Sequence, residues 1–226
     1  MRLTVTSIDV FILSIFVLPI ASGQTVTSSL PAYVNASQCY LFYLHGGIVQ
    51  EQGINAVSKE YGPYKYLNIL DSLRSLGYNV ISEARPRGTD VEEYGKYVAR
   101  QIDTLLGRGL PPEHIIVVGA SLGAYITIET SHILKNESVR YVVMGLCNEY
   151  NMKYYAKYKD DLCGNFLSIY EATDQKLSCD ELLEDLRCKS GYMEVRLTMG
   201  NGHGFLYKPY GEWLVPLDMW IKGKTR

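Results

Sequence analysis

The sequence predicts an α/β fold: a three-layer α/β/α sandwich around a mostly parallel sheet of about six strands. Three observations predict it. From residue 38 onward, short apolar runs alternate with amphipathic stretches through to the C-terminus. Several of those runs are apolar on both faces, as strands buried in a parallel sheet must be. The chain is 226 residues long, 47% hydrophobic and 20% charged, which suffices for one domain with a sizeable core.

The elements follow in order. "YLFYLH" (40–45) is a strand rich in aromatic residues. "YLNILDSLRSL" (66–76) carries Leu67, Leu70, Leu73 and Leu76 near helical spacing, with Gly77 placed to end the helix. "YNVISE" (78–83) is the next strand. Thr89-Asp90-Val91-Glu92 is a capping box that opens a helix with Val91, Tyr94, Val98, Ile102 and Leu105 on one face. "HIIVVGA" (114–120) is a strand running into a helix over 122–134. "RYVVMG" (140–145) and "FLSIY" (166–170) are strands. A second capping box, Ser178 to Glu181, starts a helix with Leu182, Leu183 and Leu186, which should carry both Cys179 and Cys188. "MEVRLTM" (193–199) is the last strand, and "GEWLVPLDMWI" closes the chain as a helix on Trp213, Leu217 and Trp220.

The N-terminus has another character. Arg2, an apolar stretch from Val10 to Ile20 and the small residues Ala21 and Gly23 read as a secretory signal peptide over 1–23, leaving a single domain over 24–226. The stretch is too short to span a bilayer, which needs about 20 residues. Asp9 weakens the basic leader, so an uncleaved anchor is the alternative. No other segment is apolar enough to insert stably in a membrane. With a net charge of −2 and no basic tract, nucleic acid is not an expected partner. Asn35-Ala36-Ser37 and Asn136-Glu137-Ser138 are glycosylation sequons, used only in a eukaryotic secretory pathway.

"VVGASLGAY" (117–125) puts Ser121 between Gly119 and Gly123 at the carboxyl end of a strand, where open parallel sheets bind ligands. The two glycines remove side chains that would clash in so tight a strand-to-helix turn. The following helix presents free N–H groups where an oxyanion would form. The competing reading is a Ser that merely caps the helix. A Ser nucleophile needs a base. Of the four histidines, His114 lies at the wrong end of its strand, His132 is roughly 16 Å along the same helix, and His45 sits inside "HGG" as a structural residue. His203, in the glycine-rich loop "MGNGHGF" after the last strand, is the candidate base. Asp174, in the loop after "FLSIY", is the favoured acid to hold its tautomer, with Glu171 and Glu149 as alternatives. In "LHGGI", Gly47 would offer a bare N–H that forms an oxyanion hole with the N–H of Leu122.

Together "HGG" after the first core strand, "GASLG" at the elbow, "ATD" and "GHG" after the last two strands resemble the α/β-hydrolase superfamily in a shortened form. The order Ser…Asp…His is that of the superfamily. The resemblance implies Ser121 as nucleophile, His203 as base and then acid, and Asp174 as orienting acid, with no cofactor and no metal. Residues 24–38 cannot hold both of the two extra strands the superfamily usually has before "YLFYLH".

The stretch 49–65 is long enough to cover the site. The excursion 147–165, where the superfamily carries its lid, is short, with Tyr150, Tyr154 and Tyr158 spaced as a helix packing on the sheet. A short lid favours small or solvent-exposed acyl substrates. The expected function is a secreted or periplasmic serine hydrolase that cleaves small carboxylic esters. Amidase, peptidase or acyltransferase chemistry on the same residues is the alternative, as is a non-catalytic binding protein. The oligomeric state is not legible. An oxidising compartment pairs cysteines, and topology puts Cys147 and Cys179 at the top of the sheet and Cys163 and Cys188 at the bottom. The expected bridges are Cys147–Cys179 and Cys163–Cys188, with Cys39 unpaired.

Overall fold

The structure is a computed structural model that describes residues 24–224. The expected signal peptide lies outside the described residues. The strands are β1 (Val26–Thr27), β2 (Tyr40–Leu44), β3 (Val57–Ser58), β4 (Gly62–Pro63), β5 (Asn79–Ile81), β6 (Ile115–Ala120), β7 (Arg140–Met144), β8 (Cys163–Glu171) and β9 (Cys188–Leu197). The helices are α1 (Gly47–Gln52), α2 (Tyr66–Ser75), α3 (Val91–Gly107), α4 (Leu122–Leu134), α5 (Glu149–Tyr155), α6 (Asp180–Leu183) and α7 (Gly211–Ile221).

Seven strands form one parallel sheet in the order β1-β5-β2-β6-β7-β8-β9, one more than the six expected. The additional strand is β1, two residues pairing with β5 at the edge. It is too short to leave a pattern in the sequence. Alternate residues of each strand face opposite ways. Leu41 and Tyr43 of β2, with Ile116 and Val118 of β6, pack against α2 and α7 through Ile69, Leu73, Trp213 and Leu217. Tyr40, Phe42 and Leu44, with Val117 and Val143, pack against α3 and α4 through Val98, Ile102, Ala124 and Ile128. Two cores thus lie on the two faces, which makes three layers. β3 and β4 form a small separate antiparallel pair between α1 and α2.

Several local expectations need correction. Asp90, not Thr89, caps α3, accepting the Glu93 N–H at 2.9 Å, while the Thr89 hydroxyl donates to the Pro86 carbonyl. On α2 the buried face is Tyr66, Ile69, Leu70 and Leu73, and Leu67 is 59% exposed. α6 is a single turn whose N-cap is Cys179, with no capping box. Cys188 is therefore not on that helix: it begins β9, directly paired with Cys163 at the start of β8. Tyr150 and Tyr154 point outward, and α5 buries Tyr155 and Asn151 instead.

The disulfides join Cys147 to Cys179 and Cys163 to Cys188, and Cys39 is free. The second bridge locks two residues already opposite each other. The first links the chain after β7 to the start of α6, where Leu177 N–H also donates to the Cys147 carbonyl at 2.7 Å.

α3 and α4 cross closely because Gly95 has no side chain; a methyl group there would lie 2.7 Å from Cβ of Glu129. Glu129 is buried at this crossing, and its Oε2 has no hydrogen-bond partner among the described residues. Its carboxyl is pushed up to about 7, by burial first and by the Glu92 charge second. Such a group stabilises the fold fully below its unfolded value of 4.5 and loses that contribution as pH rises through about 7. Glu129→Gln, which never ionises, is thus expected to be more stable than the parent at pH 8 by about 2–3 kcal/mol. The gap should close near pH 4.5. Urea unfolding at the two pH values checks this, and a gap independent of pH would refute it.

Candidate active site

The carboxyl ends of β2, β6, β7 and β8 converge on Ser121. Backbone geometry there is set by crowding. Ser121 has φ 52° and ψ −114°, a left-handed conformation that costs a non-glycine residue of order 1–3 kcal/mol. The neighbours that permit it are glycines. A methyl group on Gly119 would lie 2.3 Å from the Gly123 carbonyl, and one on Gly123 would lie 1.8 Å from the Leu44 carbonyl oxygen. The turn therefore pushes α4 hard against the end of β2. It aims the half-buried Ser121 hydroxyl out of the top of the sheet.

His203 lies in the short 3₁₀ turn Gly202–Leu206 that follows β9. In the tautomer with Nδ1 protonated, it donates to Asp174 Oδ2 at 2.6 Å, and its Nε2 accepts the Ser121 hydroxyl at 2.9 Å. The Asp174 side chain is only 4% exposed. Gly145, just past β7 with φ 62°, leaves room for this ring: a methyl group there would sit 3.1 Å from His203 Cε1. On the other side Gly204 admits Tyr61 of the β3–β4 unit, whose ring would be 2.8 Å from an added methyl group. The chain just after that unit is tied to the same turn, with Lys65 N–H donating to the Tyr207 carbonyl at 2.7 Å.

Glu171 is not in contact with His203. It is fully buried beneath the loop and accepts the N–H groups of Thr173 at 2.8 Å, Gly200 at 3.1 Å and Gly202 at 3.2 Å, together with the Thr173 hydroxyl. Burial raises its pKa, but these bonds outweigh burial and hold the carboxyl below its usual value. It braces the two loops that carry Asp174 and His203. Glu149 opens α5, where it pairs with Lys153. His114 bonds the Ala36 carbonyl, and His132 stacks on Tyr158, both remote from Ser121.

Gly47 and Leu122 begin α1 and α4 and are neighbours: a methyl group on Gly47 would meet the Leu122 side chain at 3.5 Å. Both are first-turn residues, whose N–H groups have no partner within the helix, and both helices point their positive ends at the site.

The loop His45-Gly46-Gly47 that positions Gly47 is held by a residue absent from the sequence reading, Arg85. Arg85 is 2% exposed. Its backbone N–H donates to His45 Nε2 at 2.9 Å, its guanidinium donates to the His45 carbonyl, and its Nε donates to Gln50 at 3.2 Å. His45 Nδ1 donates in turn to the Gly46 carbonyl. Burial first, and the Arg85 charge second, lower the His45 pKa to about 3, so the ring stays neutral and structural. In "SEARPRG" Arg85 sits among charged and turn residues, and nothing in that stretch marks it as buried. Gly145 and Tyr61 were likewise missed.

No protein-family model and no curated protein matches the chain. Solved structures do. The monoacylglycerol lipase of Paleococcus ferrophilus superposes with a TM-score of 0.55 at 15% identity, covering 82% of this chain and 95% of that one. The esterase domain of a Rhodothermus marinus protein gives 0.55 at 14% identity, over 86% and 90%. A serine hydrolase without lid from Xanthomonas campestris gives 0.52 at 15% identity, over 88% and 85%. The chain has the α/β-hydrolase fold.

The crowding at the elbow can be measured. Gly123→Ala is expected to destabilise the protein by about 3 kcal/mol or more. Gly107→Ala, where an added methyl group meets nothing, should be neutral or slightly stabilising. Thermal unfolding of the two variants provides the comparison; equal melting temperatures would contradict the close approach of α4 to β2.

Proposed function

We propose that the protein is a secreted serine hydrolase that cleaves carboxylic esters through an acyl-enzyme on Ser121. The observation that carries this reading is the continuous hydrogen-bonded line from Asp174 through His203 to Ser121, ending beside two helix N-termini. In the first half-reaction Ser121 Oγ attacks the ester carbonyl and its proton passes to His203 Nε2. The oxygen that becomes negative lies toward the N–H groups of Gly47 and Leu122. The tetrahedral species expels the alcohol, which takes the proton from His203. Water then attacks the acyl group, again giving its proton to His203, and Ser121 leaves with that proton as the carboxylic acid departs. Asp174 keeps Nδ1 protonated and stabilises the imidazolium that forms in each half.

Two structural neighbours are described as an esterase domain and a monoacylglycerol lipase, which fits ester substrates. Two disulfides in one small domain fit an oxidising compartment and the expected leader. Asn35, exposed, and Asn136, half-buried, are the proposed glycosylation sites of a eukaryotic host.

Activity with a p-nitrophenyl ester and labelling by a fluorophosphonate test the reading. His203→Ala is expected to lower kcat by about 10³-fold or more in a folded protein. His114→Ala should leave it nearly unchanged. Labelling should vanish in Ser121→Ala; a folded parent that neither labels nor turns over would refute the hydrolase.

The Cys147–Cys179 bridge restrains the loop that carries Asp174. A Cys147→Ser/Cys179→Ser double variant is therefore expected to lose activity at temperatures well below its unfolding transition. Activity and circular dichroism melted in parallel check this; curves that coincide would show that the bridge serves global stability alone.

A further inference from the structure

Two spaces meet at His203, and they differ in size and chemistry. Over Ser121 is a hollow of only about 40 Å³, walled by Ile48, Tyr64, Leu206 and Tyr207. That is room for roughly three non-hydrogen atoms. Its walls are firm. Tyr64, Leu206 and Tyr207 are all buried. Tyr64 shares a hydrogen bond of 2.7 Å with Tyr43 in the core, and its ring packs on Tyr207 with centroids 5.0 Å apart. A longer acyl chain would have to displace a buried ring or run out of the hollow into solvent. On the Asp174 side of His203 is an open cleft of about 810 Å³, lined by Glu60, Tyr61, Gln175, Lys176, Asn201 and Tyr210. This is within the range of about 300–1,000 Å³ that holds drug-sized ligands.

The chemistry of the reaction assigns the two spaces. The acyl group bonds to Ser121 and fills the hollow, whereas the alcohol oxygen takes its proton from His203 Nε2 beside Ser121, so that the rest of the alcohol extends past the His203 ring, which borders both spaces, into the cleft. The cleft carries amides, one carboxylate beyond Asp174, one ammonium and two phenol rings. Its two carboxylates outnumber its one ammonium, so it is not built for a phosphate or an acidic polymer. An alkyl chain there would strand polar groups without partners. A neutral polyhydroxylated alcohol would satisfy them, with the flat Tyr61 and Tyr210 rings against its carbon faces.

We propose that the substrate is a short-chain ester, acetate above all, of a carbohydrate hydroxyl, with the sugar in the cleft and the acetyl group in the hollow. Hydrolysis consumes one water and yields acetic acid and the free sugar hydroxyl. The assignment rests on the serine hydrolase reading above.

The test uses the full chain, secreted with its disulfides formed, on three series. With p-nitrophenyl acetate, butyrate and octanoate, kcat/KM is expected to fall by about 100-fold along the series. Acetylated cellobiose should exceed both ethyl acetate and an O-acetylserine peptide by about tenfold or more, chiefly through KM. Asn201→Ala should raise KM for acetylated cellobiose about tenfold more than for p-nitrophenyl acetate. A flat or rising chain-length profile, or equal or better use of the peptide, overturns the proposal and leaves the hydrolase standing. Fluorophosphonate labelling of Ser121 without turnover of any acetate ester overturns it likewise. Absence of both labelling and turnover removes the hydrolase reading itself, and the proposal with it.

Discussion

The end of β2 and the first turn of α4 touch so closely that no side chain fits between them. A methyl group at Gly123 would sit 1.8 Å from the Leu44 carbonyl. Because β2 and β6 are neighbours in the sheet, the strand that delivers Ser121 and the strand that delivers the His45-Gly46-Gly47 loop are brought to one point by this approach. The strained backbone at Ser121 is the local cost, and the packing of α4 against β6 and β2 holds it. Once that contact is made, the N-termini of α1 and α4 stand side by side without further adjustment.

The support beneath the site is polar and largely buried. Glu171 gathers N–H groups from the loops after β8 and β9, fixing their separation and so the distance from Asp174 to His203. Arg85 does the corresponding work under the first loop through His45 and Gln50. Neither group touches the space above Ser121. Both are charged side chains taken out of water: Glu171 is met by backbone N–H donors, whereas Arg85 has the His45 carbonyl and the Gln50 side chain as acceptors, with its Nη1 unpartnered among the described residues.

How much of this could be read beforehand depended on pattern. The central strands were legible because β2, β6 and β7 are continuous apolar runs with both faces covered. Ser121, His203 and Asp174 were legible because each follows such a strand, and parallel sheets bring those ends together. The choice of Asp174 over Glu171 was left open by the sequence, since one strand-end carboxylate looks like another until the loop closes over it. β1 is two residues long and carries no period. The first half of β9 runs through Lys189, Ser190 and Gly191 at the rim of the sheet and has no apolar run, so only the part from Met193 is legible as a strand and Cys188 is assigned to the preceding helix. Arg85 gave no signal: burial of an arginine is decided by what folds over it, and nothing in its neighbours along the chain declares that.

The bridge between Cys163 and Cys188 has a meaning beyond the stability of the domain. β9 is an edge strand, ten residues long, and among the described residues one side of its backbone has no neighbouring strand. Such a rim is a template on which another chain can add a strand. Here its first residue is fastened to the neighbour, so the strand cannot slip by one residue or peel from that end. An irregularity in pairing beside Gly164 and Asn165 follows within two residues and breaks the regular spacing of the rim. Lys189, Glu194 and Arg196 place charge along the remainder. Wherever many copies of the chain are concentrated together, a rim fastened, interrupted and charged in this way keeps them from polymerising by strand exchange.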